Sequence, residues 1–339
     1  MTRTMSLLLG ATIAVSAATA AQAQEVNLYS SRHYETDERL YSDFEDATGI
    51  TINRIEGNAD ELIARIQAEG ANSPADVLLT VDTSRLQRAA GMGILQPVES
   101  ALLTERIPAN LRNDDNLWFG FSQRARIIFY DTERVTTPPQ TYLDLADDAY
   151  EGMICIRSST NIYNQTLLSS IIENHGEQVA RDWAAGVVEN MARDPQGGDT
   201  DQLRGIISGE CDIAVANTYY LARAIRRDVD GLSPEDRANI GWVFPDQGGN
   251  GAHINLSGGG IAANAPNFDA AVAFLEYLAS DQAQEYFSAG NDEYPVVAGV
   301  TIAPSAAELG EFVADDLSLA AIAANLPLAQ AIFNEAGWE

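Results

Sequence analysis

Residues 25–70, "EVNLYSSRHYETDERLYSDFEDATGITINRIEGNADELIARIQAEG", change period three times, and that alternation decides the fold class. "EVNLYS" has the apolar alternation of a strand, and "ETDERLYSDFEDATG" has apolar residues three and four apart with a glycine at its end, as an amphipathic helix does. "ITINRIE" repeats the strand pattern and "ADELIARIQAEG" the helix pattern, again stopped by glycine. "ADVLLT" then reads as a short buried strand and "SRLQRAAGMG" as a helix. Strand and helix in strict alternation predict an α/β protein with a mainly parallel sheet covered by helices on both faces.

Outward from this stretch, the chain begins with features foreign to a packed domain. Arg3 precedes the apolar run "LLLGATIAV", and Ala21-Gln22-Ala23 has the small-x-small form of a cleavage site, so residues 1–23 read as a secretory signal peptide. The expected mature chain is exported and has no later apolar run long enough to span a bilayer, so membrane insertion is not expected. Its length is sufficient for two domains with separate cores. The 339 residues carry 20 basic and 49 acidic side chains, a net charge of −29, and every base is arginine. Such a field excludes nucleic acid as a partner and favours cations. Two cysteines, Cys155 and Cys211, cannot build a structural zinc site, and they are either one disulfide or two buried thiols.

A second alternation follows residue 130. "GMICIRS" reads as a strand, "NQTLLSSIIENHG", "EQVARDWAAGVVENM" and "DTDQLRGIISG" as helices, "CDIAVAN" as a strand and "YYLARAIRRDVD" as a helix. The stretch "DQGGNGAHINLSGGG" reads as a glycine-rich crossover, followed by two helices broken at Ser280-Asp281 and an alanine-rich helical tail. Two α/β units in one chain predict two lobes, with ligands held in the crevice beyond the strand ends. Three turns occupy such places: "SSRHYE", "SSTNIYNQ" and "ANTYYLAR".

Those turns supply Tyr34, Tyr163, Tyr219 and Tyr220, with His33 beside the first. In a strand, Tyr219 and Tyr220 would point to opposite faces, whereas at a strand end turning into a helix both can enter one cleft. A lone tyrosine after a strand is ordinarily a half-buried packing residue; four of them at three strand ends form a pattern. Phenolate is a hard anionic oxygen donor suited to Fe(III), which has charge enough to displace the phenolic protons. Four phenolates on Fe(III) leave one negative charge, for which Arg124, Arg126 and Arg223 are the candidate neutralising cations, since guanidinium cannot compete as a ligand. A cleft lined with aromatic rings would also suit a small organic cation, and carboxylates between lobes would suit an exported hydrolase. Phosphate-cradling loops, H-E-x-x-H and G-x-S-x-G are absent from the sequence.

The stretches "VNLYSSRHYETDERLYSDFEDATGI", "SPADVLLT", "RARIIFYDT", "CDIAVANTYYLAR", "LSGGGIAANAP" and "NDEYPV" resemble the periplasmic ferric-iron-binding proteins of bacterial iron ABC transporters, over essentially the whole mature length. The tyrosine pair after "CDIAVAN" is the most specific of these. The resemblance implies a type II periplasmic-binding-protein fold, two mixed-sheet lobes on a hinge, with one lobe formed by 24–122 plus 249–302 and the other by 123–248 plus 303–339. In the transferrin-like branch a glutamate completes the shell; here the matching position holds Val81, with Asp82 next to it. The chain is therefore similar to the other branch, in which tyrosines close the shell without a synergistic anion, and the implied ligands are His33, Tyr34, Tyr163, Tyr219 and Tyr220. The resemblance further implies a non-enzymatic periplasmic monomer that carries Fe(III) to an inner-membrane ABC permease and its ATPase.

Overall fold

The computed structural model describes residues 24–32, 34, 36–229 and 231–339. The leader read at 1–23 and the candidate ligand His33 lie outside the described residues. The first alternation is realised element by element: β1 (Glu25–Ser30), α1 (Asp37–Thr48), β2 (Thr51–Glu56), α2 (Ala59–Glu69), β3 (Val77–Thr80) and α3 (Thr83–Gly91). Gly49 ends α1 in the left-handed conformation (φ 73°), which costs a glycine nothing. The Asn58 side chain accepts from the Asp60 backbone N–H to start α2. β1 pairs in parallel with both β2 and β3.

The short β4 (Leu95–Gln96) and α4 (Ala101–Arg106) lead into β5 (Phe119–Asp131), the longest strand described. β6 (Ile154–Cys155), α5 (Ile162–His175), α6 (Glu177–Glu189), α7 (Asp199–Ser208), β7 (Ile213–Asn217), α8 (Thr218–Arg226) and β8 (Ile240–Val243) form the second unit. The chain returns through β9 (Ile254–Ala262), α9 (Phe268–Leu278), α10 (Asp281–Asn291) and β10 (Tyr294–Pro295), and ends in α11 (Pro304–Ala307), α12 (Leu319–Ala324) and α13 (Leu326–Ala336). The sheet runs β2-β1-β3-β9-β5-β7-β6, with β4 on β9 and both β8 and β10 on β5. β9 is antiparallel to β3 and β5, and β7 and β8 are antiparallel to β5, so the sheet is mixed.

β5 belongs to both halves. Residues from Phe119 to Ala125 pair with β9, and those from Arg126 to Tyr130 pair with β7. One apolar core, including Leu28, Phe44, Phe121, Leu256 and Phe274, fills the first half and extends under α7 and α8; a second, including Ile128, Leu168, Trp183 and Phe333, lies beneath α5, α6 and α13. This is the two-lobed type II arrangement expected from the sequence.

Three local readings change. The strand read at "GMICIRS" is only two residues long, because the carbonyls of Arg157 and Ser158 bond to the Asn164 side chain (2.7 and 3.2 Å) instead of continuing a ladder. The glycine-rich stretch read as a crossover contains the fully buried β9. Its glycines let neighbouring backbones approach: a β-carbon on Gly258 would lie 2.5 Å from the Phe119 carbonyl oxygen. The helical tail is three short helices, with an aspartate-containing stretch at 311–318 between the first two. The two cysteines, left open between thiols and a bond, form the disulfide Cys155–Cys211, which ties β6 to the approach of β7. Among the described residues no helix is long and apolar enough to cross a membrane.

Candidate functional site

The pair in "ANTYYLAR" sits in the first turn of α8, directly after buried β7. Helical geometry turns successive side chains by about 100° rather than to opposite faces, so both phenols face the same side. Their rings stack with centroids 4.2 Å apart and planes at 29°. Tyr163 occupies the first turn of α5, where the Asn161 side chain caps its backbone N–H at 3.0 Å. The Tyr163 and Tyr219 hydroxyls are 3.4 Å apart. Tyr34 follows β1 and is half-buried.

Electrostatics bind the four into one cluster. Burial raises the Tyr219 phenol well above its usual range, and Tyr163, Tyr220 and Tyr34 each raise it further while Arg124 opposes them. Tyr34 is raised by burial and then by Glu293, with Arg32 lowering it, Tyr163 raising it and Arg124 lowering it again. Burial and the Asp199 carboxylate raise Tyr220, with a smaller push from Tyr163. Tyr34, Tyr219 and Tyr220 are thus held neutral until a cation takes the proton's place.

Guanidiniums cover the rings. Arg124, Arg126 and Arg157 lie 6.0, 5.8 and 5.6 Å from the Tyr163 ring centre, Arg223 lies 5.3 and 5.9 Å from those of Tyr219 and Tyr220, and Arg32 lies 5.0 Å from that of Tyr34. Arg124, Arg126 and Arg223, picked out in the sequence, are therefore all beside the phenols. Arg32, Arg157 and their carboxylate partners were not picked out. Arg32 makes a forked pair with Asp37 (2.9 and 3.1 Å) and reaches Glu293 at 3.5 Å. Arg124 bonds Ser257 at 3.0 Å and the Val81 carbonyl, with Glu293 at 3.7 Å. Arg126 meets Asp199 at 3.1 Å, Asn217 at 3.2 Å and Asn164 at 2.7 Å, so one side chain from β5 anchors the starts of both α5 and α8. Asp199 is fully buried; it also accepts from the Asn217 backbone N–H (2.9 Å) and lies 3.6 Å from Arg157.

Neither residue at the position of the missing glutamate serves as a donor. Val81 offers only its carbonyl, already taken by Arg124, and the Asp82 carboxylate caps α3 through the Ser84 and Arg85 backbone N–H groups and accepts from Asn255. Among the described residues no group of three or more histidine, cysteine, aspartate or glutamate side chains is placed to hold a metal.

His253 is buried, with Nε2 3.1 Å from the Thr166 hydroxyl. Burial, helped by repulsion from Arg126 and Arg124, lowers its pKa to about 3. An unfolded histidine titrates near about 6.5, so between there and about 3 the unfolded chain takes up a proton that the folded one refuses. Stability therefore falls as pH falls through that window. His253→Gln is expected to flatten this dependence. Melting temperatures measured from about pH 7 to about pH 4 should decline less in the variant than in the parent, and equal slopes would refute the assignment.

Two α/β halves joined through a shared strand, with the candidate donors on turns beyond the strand ends, define the type II class of solute-binding proteins. The chain belongs to the bacterial extracellular solute-binding protein family, whose profile matches residues 72–311. It is 49% identical over 322 residues to the iron uptake protein A1 of Synechocystis sp., covering 95% of this chain and 89% of that one. It is 27% identical over 289 residues to the major ferric iron-binding protein of Neisseria meningitidis, covering 84% of each. Among solved structures, the Trichodesmium protein IdiA (FutA), in complex with iron and citrate, superposes with a TM-score of 0.87 at 50% identity, covering 93% of this chain and all of that one.

Proposed function

We propose that this chain is a periplasmic Fe(III)-binding protein, with Tyr34, Tyr163, Tyr219 and Tyr220 as tyrosinate ligands. The observation that carries the reading is the convergence of four phenols from three strand-end turns, with two hydroxyls already 3.4 Å apart, in a cleft without a carboxylate–histidine cluster among the described residues. Hard phenolate oxygens select a hard trivalent ion. Because Tyr34, Tyr219 and Tyr220 are held protonated, capture releases protons, and affinity weakens as pH falls. His33 is the proposed fifth donor. Around the four phenolates, the guanidiniums of Arg32, Arg124, Arg126, Arg157 and Arg223 outnumber the carboxylates of Asp37, Asp199 and Glu293 by two, an excess that offsets the negative charge of a tetraphenolate ferric centre.

The proposed lobes are 24–122 plus 249–302 and 123–248 plus 303–339; closure between them would bring Tyr34 against the other three phenols. A closed, loaded monomer is the form offered to an inner-membrane permease and its ATPase, with no catalytic step by this chain. The names of its relatives, iron uptake protein and ferric iron-binding protein, support the same cargo. A small organic cation fits less well, because the chain's own guanidiniums already lie against the aromatic faces such a cation would need. Titration of the purified protein with ferric iron is expected to produce a visible tyrosinate-to-iron charge-transfer band; a colourless product would overturn the reading.

A further inference from the structure

The stretch "NDEYPV", residues 291–296, carries part of the resemblance but none of the candidate ligands. Its first three residues, with Gly290 before them, stand between the Tyr34 turn and the helix of Tyr219 and Tyr220. Asn291 accepts from the Thr36 hydroxyl at 2.6 Å and donates to the Asp37 carboxylate at 3.1 Å, two and three residues beyond Tyr34. Glu293 accepts from Ser122 at 2.6 Å and faces Arg32 and Arg124, which lie against the Tyr34 and Tyr163 rings. Between these two, Asp292 ends α10 in the left-handed conformation (φ 62°), which aspartate tolerates, and its fully buried carboxylate meets α8 instead.

The group it meets is Arg226, in the last turn of the helix whose first turn holds the tyrosine pair. The guanidinium forks onto Asp292 at 2.8 and 2.9 Å and also donates to the Gly290 carbonyl at 2.8 Å, while Ser305 donates to the same carboxylate at 2.8 Å. A forked arginine fixes direction as well as distance, because its donors lie in one rigid plane. Since α8 is only nine residues long, fixing its last turn fixes the direction in which its first turn presents Tyr219 and Tyr220. Arg226 and Asp292 belong to different proposed lobes.

We infer that Arg226 is a positioning residue for iron capture: through Asp292 and Gly290 it ties the Tyr219–Tyr220 helix to the same four residues that hold the Tyr34 turn. What is positioned rests on the ferric reading above, whereas the strap of contacts does not.

Arg226→Met alone strands a buried carboxylate, so it is tested beside Arg226→Met/Asp292→Asn, in which no charge is left alone and asparagine still accepts the left-handed turn. Arg106→Met is the control, because that arginine likewise bonds a carboxylate, Asp281, and a helix-end carbonyl, Ala279 (2.7 Å), but wholly within one proposed lobe. Iron-loaded proteins are challenged with excess EDTA, and the fading of the visible band is timed. Both Arg226→Met variants should lose iron at least about tenfold faster than the parent, with a shifted band. Arg226→Lys should fall between them and the parent, since an ammonium cannot fork, and Arg106→Met should match the parent whatever its melting temperature. A parental band and release rate in the double variant, or equal acceleration by Arg106→Met, overturns the proposal. Amide hydrogen exchange on the iron-free proteins separates this failure from that of the ferric reading. Protection in α8 and in residues 36–40 should fall together in the double variant and in neither place in Arg106→Met. A parent without a visible band, combined with this joint loss, overturns the ferric reading and leaves the strap standing; unchanged protection in the double variant overturns the strap with or without a band.

Discussion

Tyr219→Phe is expected to weaken ferric binding by more than the roughly 10–100-fold that loss of an outer-shell partner brings, because it removes an anionic oxygen from the shell itself. Tyr219 is the most sensitive position of the four: it is 4% exposed, its hydroxyl is 3.4 Å from that of Tyr163, and its ionisation responds to all three other phenols. The charge-transfer band should shift or vanish, and iron titration should show the loss in affinity. Tyr277→Phe is the matched control. That phenol is pushed up to about 12, chiefly by burial, and its hydroxyl has no hydrogen-bond partner in α9, so deletion should leave both the band and the affinity unchanged. Equal effects from the two substitutions would remove Tyr219 from the ligand set.

Arg126→Met is expected to lower folding stability by about 3–5 kcal/mol, the usual effect of stranding one member of a buried ion pair. Asp199 would retain the Asn217 backbone N–H but only one cation, Arg157 at 3.6 Å, and the side-chain oxygens of Asn164 and Asn217 would lose the donor that fixes the starts of α5 and α8. Because those two turns carry Tyr163, Tyr219 and Tyr220, iron affinity should fall together with stability. Arg126→Lys should recover only part of both, since one ammonium cannot fork across the same acceptors. Arg126→Met combined with Asp199→Asn should regain some stability, because neither charge is then left alone. Urea unfolding of these variants decides the matter; a loss below about 1 kcal/mol for Arg126→Met would show that the buried network is dispensable.

The sheet and the phenols were legible in the sequence because both depend on short-range patterns. Periodicity marks each of β1, α1, β2 and α2, and a tyrosine immediately after a strand can be placed without knowing what it faces. The buried ion network was not legible. Arg32 meets Glu293 across 261 residues, and Arg126 meets Asp199 across 73; with 49 acids in the chain, no local feature distinguishes these carboxylates from solvent-exposed ones. Arg124 and Arg126 were found because their run, "FSQRARIIFYDT", reads as the crossover between lobes, whereas Arg157 lies in a polar turn where an arginine is unremarkable. β9 was missed because its three consecutive glycines imitate a loop, and only the closeness of the Phe119 backbone explains them. The two-residue β6 follows from competition: the Asn164 side chain takes carbonyls that a longer strand would have used.

The shared strand also limits how proteins of this build can be recombined. Since β5 completes both halves, with the handover between Ala125 and Arg126, neither half is a cassette that can be excised and grafted onto a relative. A chimaera would need a junction inside a buried ladder, where the incoming segment must supply edge, register and ionic partners at once. New cargo specificity in this architecture is therefore reached more readily by substitutions in the strand-end turns than by swapping whole halves.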